Sequence, residues 1–95
     1  MQSFNVAHLN IQNVNIVIVF LNQAFDRKTD QEQHQTQSAL QFASQQVGWN
    51  GNVVPVWTDA FGRTKFIAPP QQRSFFQSAT YHELYSQVNK TLDIG

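Results

Sequence analysis

Few side chains in this sequence are equipped for chemistry, and they are scattered. The histidines are His8, His34 and His82, and no two stand at a metal-ligand spacing such as i, i+4. The chain has no cysteine, which excludes disulfides, thiolate nucleophiles and cysteine metal sites. No cofactor motif is present, and Ser38, Ser44, Ser74 and Ser78 lack the context of a nucleophile elbow. Two short clusters remain. Asn22, Asp26 and Arg27, with Lys28, follow one apolar run, and Asp59 and Arg63, with Thr58, follow another. Arg27 and Lys28 stand just before a helix start, whose dipole end is positive, so these residues together could hold a small anion. No glycine-rich phosphate loop accompanies them. Asp and Arg in such loops also serve as turn formers and solvated rim. His82 is of the type used for general-base work, but it falls in a first helical turn. It is expected at the opposite end of the sheet from Asp59, beyond the ~3 Å reach of a proton relay.

The elements that must position these residues are organised around Asn15-Ile16-Val17-Ile18-Val19-Phe20-Leu21. Alternate residues of a strand face opposite ways, so Ile16, Ile18 and Phe20 line one face and Val17, Val19 and Leu21 the other. A strand apolar on both faces belongs in the middle of a sheet covered on both sides. Residues 4–11 read as a preceding strand, joined by a tight turn at Gln12-Asn13, where Asn tolerates a positive φ. Thr29-Asp30-Gln31-Glu32 fits a capping box, and a helix is expected from Asp30 to about Val47. Its apolar stripe is Ala39, Leu40, Phe42, Ala43 and Val47, while residues 31–37 are polar all round. Gly48 is the expected residue just past its end, with Trp49 folding back on the last turn.

Val53-Val54-Pro55-Val56-Trp57 reads as a third strand, with one side of Pro55 unpaired or bulged. Asp59 to Gly62 is a turn, residues 63–68 a fourth strand, and residues 71–79 a loop. Thr80-Tyr81-His82-Glu83 is a second capping box. Tyr81, Leu84, Tyr85, Val88 and Leu92 then make an amphipathic stripe, so a second helix is expected to about Leu92. The fold class is α/β: a single domain over residues 1–95, ordered ββαββα, with a four-stranded mixed sheet and two helices. From the central strand onward this order is similar to the C-terminal part of a thioredoxin-like domain. The Cys-x-x-Cys that carries that family's redox chemistry is absent.

Composition narrows the function classes. Lys plus Arg and Asp plus Glu balance at six each, so the formal charge is zero, which counts against electrostatic binding of nucleic acid or an anionic membrane. Charged residues are 13% of the chain, about half the usual share, and 14 Gln and 8 Asn take their place. A surface solvated by neutral amides is cheaper to desolvate against a protein partner. The N-terminus lacks a basic region followed by an apolar one, so no signal peptide is expected and the location is read as cytoplasmic.

Two helices must cover four strands. Either the C-terminal helix crosses to the second face of the sheet, or a second subunit packs there. Phe61, Phe75 and Phe76, in a turn and a loop, are candidates for a partner surface. The reading favoured here is a non-enzymatic interaction or adaptor module that self-associates as a homodimer. The alternative is a binder of a small ligand, or a small enzyme, with a cleft at the carboxyl ends of the two parallel strands, using Asn22, Asp26, Arg27, Asp59 and Arg63. A weaker alternative is single-stranded nucleic acid. Trp57 to Phe66 interleaves aromatics with Arg63 and Lys65, which is loosely similar to the aromatic strand of an RNA-recognition sheet but does not match its glycine and aromatic spacing.

Overall fold

The apolar run that dominates the sequence forms β2 (Val14–Phe20), and Ile16 to Phe20 are buried on both faces. The computed structural model describes residues 2–11 and 13–94. Before β2 comes β1 (Gln2–Ile11), paired antiparallel from Val6↔Val19 to Ile11↔Val14. In the turn between them Asn13 adopts a φ of 66°, as a tight hairpin demands, while Gln12 lies outside the described residues. Helix α1 (Asp30–Gln46) starts at the Thr29–Glu32 capping box. It ends with Gly48 at φ 82°, and the Trp49 amide donates back to Ser44 O at 3.0 Å. β3 (Asn52–Thr58) then lies parallel to β2, and β4 (Thr64–Phe66) antiparallel to β3. The loop entering β3 passes so close to β2 that a Cβ on Gly51, at φ 126°, would lie 2.5 Å from Asn15 O.

Pro55 sits where its missing N–H costs little, on the side expected to be unpaired. The amide and carbonyl of Val53 are bonded by side chains of α1, and Pro55 O accepts from Ile67 N, so odd-numbered residues of β3 face the β4 side. Opposite Pro55 the chain is already leaving β4, so the missing N–H forgoes only the one return bond to Ile67 at the end of that ladder.

The last third of the chain departs from the ββαββα expectation. Residues 70–77 are not a loop: a 3-10 turn (Pro70–Gln72) leads into α2 (Arg73–Gln77). The second capping box forms as expected at Thr80 and Glu83, but α3 (Tyr81–Tyr85) stops after five residues. Lys90–Ile94 is β5, so the sheet has five strands in the order β4-β3-β2-β1-β5, not four. The cause is the length of β1. Its first half, Gln2 to Val6, extends past β2, and β5 pairs with it in register from Gln2↔Ile94 to Val6↔Lys90. Backbone groups that would otherwise stay unpaired are satisfied by a strand, and Leu92 still reaches the core. The last described element is therefore a strand, where the thioredoxin-like order required a helix.

Cover on both faces of β2 comes from within the chain. On one face α1 packs Leu40 and Ala43 against Val17, Val19, Val53 and Trp57. On the other, α2 and α3 bring Phe76 and Leu84 onto Ile16, Ile18, Val54 and Val56. No helix is long and apolar enough to cross a membrane among the described residues.

Candidate functional site

The loops at the carboxyl ends of β2 and β3 meet, as the parallel pairing requires, and most of their polar groups are spent on one another. Asn22 caps the 3-10 turn Gln23–Arg27, its Oδ1 accepting from Ala24 N at 2.8 Å. Asp26 Oδ1 accepts from Trp57 Nε1 at 3.0 Å, and Phe25 sits edge-on to the same indole. Asp59 is 4% exposed. Its Oδ1 accepts from the amides of Phe61 and Arg63, both at 2.9 Å, and its Oδ2 from Arg63 Nε at 2.7 Å. Burial pushes the Asp59 carboxyl up, but amide donation from Arg63 and Phe61 and the guanidinium outweigh it and hold the group below the usual carboxylate range. Asp59 is thus the organiser of the β3–β4 turn. Arg27 is exposed on the rim.

Of the five residues expected at a ligand cleft, Arg63 lines a cavity of about 590 Å³, together with Thr58, Thr64, Thr80, Tyr81 and His82. The other four do not line it. His82 was expected at the far end of the sheet from this edge, and that expectation is corrected. α2 carries the chain back along the sheet, and the Tyr81 amide donates to Thr64 Oγ1 at 2.8 Å, so α3 begins beside β4. Tyr81 and Tyr85 pack edge-on to Phe20, at the carboxyl end of β2. Burial, and then the neighbouring Tyr85, pushes the Tyr81 phenol up. Among the described residues, no three His, Asp or Glu side chains gather as a metal site.

A second region was not anticipated. The apolar stripe expected on the inner side of α1 is divided. Leu40 and Ala43 face the sheet, but Phe42 is 64% exposed and Val47 54%. The inner side carries glutamines as well. Gln41 Nε2 donates to Gly51 O at 3.0 Å while its Oε1 accepts from Val53 N at 2.8 Å, so one amide pairs with the free edge of β3 as a strand would. Gln37 Nε2 donates to Val53 O, and Gln33 Nε2 to Phe25 O at 3.1 Å. The residues Gln33, Gln37, Gln41 and Ser44 recur at i, i+4, i+8 and i+11, a helical spacing visible in the sequence. Outside, Ala39, Phe42 and Val47 form a shallow groove with Ile94 of β5. β5 is a terminal strand of the sheet, hydrogen-bonded to β1 alone among the described strands.

The aromatics proposed for a partner surface fall in different settings. Phe61 is 84% exposed, with the Arg63 guanidinium carbon 5.2 Å from its ring centre. Phe76 is 1% exposed and belongs to the core, and Phe75 is half-buried edge-on against it. Trp57 is buried under α1, and Phe66 packs on Phe76. No protein-family model, curated protein or solved structure matches the chain.

Proposed function

We propose that this protein is a non-enzymatic interaction module that self-associates by extending its sheet through β5. The divided polarity of α1 is the observation that carries the reading. Gln33, Gln37 and Gln41 turn toward the sheet, and Phe42 and Val47 face solvent beside β5, a terminal strand. An open strand edge is a template for pairing with another chain, and apolar surface beside it adds burial.

A two-fold antiparallel pairing of β5 with its copy has few possible registers. Residues opposite each other must point to the same face, so a residue, not a peptide bond, lies on the axis. With Asp93 on the axis, two like charges would face each other. With Leu92 there, Thr91 of one chain lies opposite Asp93 of the other and no like charges meet. The axis is then perpendicular to the sheet, both copies of α1 lie on one face, and their Phe42–Val47 flanks meet over the seam. Phe75 and Phe76 take no part, since they pack within the chain.

Light scattering across a concentration series tests this. The expected mass is about twice 10.9 kDa, falling to one chain for Phe42→Glu with the far-ultraviolet circular dichroism unchanged. A wild-type mass of one chain at every concentration would overturn it.

A further inference from the structure

We propose that the cleft between the β3–β4 turn and α3 binds a small organic anion: an apolar ring carrying a carboxylate or phosphate, held by Arg63, Thr64, Thr80 and His82. The cleft shares no lining residue with the groove between α1 and β5, so this site is separate from self-association.

The floor is apolar and aromatic. Phe66, Phe76, Ala79 and Tyr81 line it, and its volume of about 590 Å³ suits a ligand of a few fused or linked rings. The rim is rich in donors. Arg63 has five N–H groups, and the structure commits its Nε to Asp59 Oδ2 at 2.7 Å. That contact, with Phe61 beneath the guanidinium, fixes the plane of the fork while the side chain stays 69% exposed. A guanidinium held by one edge presents the other to a ligand oxyanion.

Two hydroxyls are set in the same sense. Thr64 Oγ1 accepts from Tyr81 N at 2.8 Å, and Thr80 Oγ1 accepts from Glu83 N at 3.1 Å. Each has a lone pair taken by a backbone amide and its own O–H left to donate. Thr58 and Thr64 are cross-strand partners in the β3–β4 ladder, so their side chains share the face that looks into the cleft. His82 adds a ring N–H or a positive charge, and it too lines the cavity. The carboxylates nearest this edge are occupied: Asp59 by the turn, and Glu83 by the Thr80 amide at 3.0 Å. A rim of donors over an aromatic floor selects an acceptor-rich head on an apolar body. Since Asp59 offsets the charge of Arg63, recognition rests on directed hydrogen bonds rather than on a broad positive field.

The test is a titration of the ¹⁵N-labelled full chain with benzoate, phenyl phosphate, inorganic phosphate and benzyl alcohol. Shifts are expected to gather on Thr58, Thr64, Thr80, Tyr81 and His82 for the two aromatic anions. Benzyl alcohol lacks the anion and inorganic phosphate the ring, and each is expected to bind at least about tenfold more weakly, the factor that one charge-assisted hydrogen bond is worth. Whichever aromatic anion binds more tightly identifies the head group. Arg63→Met is expected to weaken it by about tenfold or more, and Phe42→Glu to leave it unchanged. If Arg63→Met does not fold, the wild-type spectra and His82→Gln decide. The proposal is overturned by shifts that map elsewhere, by no shifts up to about 10 mM, or by benzyl alcohol binding as well as benzoate.

Discussion

The two faces of the sheet are covered by different means. Under α2 and α3 the cover is aromatic: Phe20 meets Tyr81 and Tyr85 edge-on, and Phe76 meets both Phe66 and Phe75. Under α1 the apolar cover of Leu40 and Ala43 is joined by amides, with Gln41, Gln37 and Gln33 bonded to backbone groups of β3, of the loop entering it and of the turn after β2. The difference follows from what each helix must satisfy. β4 pairs with residues 56–58 of β3, and Ile67 adds one bond to Pro55 O, so the first half of β3 has an open edge. A helix beside that edge has polar backbone groups to satisfy, and a glutamine amide has one donor and one acceptor to offer. Short helices over paired strands have only apolar area to bury. Spending part of the inner side of α1 on amides leaves Phe42 and Val47 to point outward, toward β5.

This contrast can be sharpened by substitution on each side. The largest loss is expected for Phe76→Ala, which empties a fully buried aromatic site at a cost of about 4 kcal/mol. Urea unfolding should show it as a lower midpoint at an unchanged slope. Gln41→Leu comes next. It keeps bulk and adds apolar surface, yet it orphans the Val53 amide and the Gly51 carbonyl, so it is expected to destabilise by about 2 kcal/mol. A neutral or stabilising Gln41→Leu would mean that α1 is held by area, as α2 and α3 are, and the contrast would fall.

Thr29→Ala removes the cap of α1 and is expected to cost about 1 kcal/mol. The same cap has a pH signature. Glu32 is held below the ordinary glutamate value by donation from the Thr29 amide and hydroxyl. Its contribution is therefore fully present above about pH 4.3, the unfolded value, and is lost as pH falls through the lower folded value. Acid titration of stability should show a smaller loss in that range for Thr29→Ala than for wild type. Phe42→Glu, on the outer side, is expected to change the stability of the isolated chain by less than about 0.5 kcal/mol. It should act on self-association instead.

The parts of the fold legible in the sequence were those encoded locally. Alternation in residues 4–11 and 15–21, the two capping boxes and the Gly48 stop each depend on a few neighbouring residues, and each forms as read. What was not legible depends on partners far along the chain. Tyr81 to Leu92 satisfies a helical period, and nothing local says that the start of β1 would need a strand beside it. Residues 31–37 were read as polar all round and Gln41 was not singled out, because an amide counts as polar, although here Gln33, Gln37 and Gln41 bond to backbone. The strand-end residues were located correctly on one edge, but Asp26 and Asp59 are tied to Trp57 and Arg63, pairings that no spacing announces. His82 was misplaced because residues 71–79 were read as a loop, so the return path along α2 was missed.

Amide hydrogen exchange of β5, measured at high and low protein concentration, tests self-association through this edge most directly. Outward-facing amides within Lys90–Ile94 are expected to exchange more slowly at high concentration, and the Phe42→Glu variant should abolish the difference. The Val53 amide, bonded to Gln41 within the chain, serves as the control and should not change. Equal exchange of β5 at both concentrations would contradict the proposal that the sheet continues from one chain into the next.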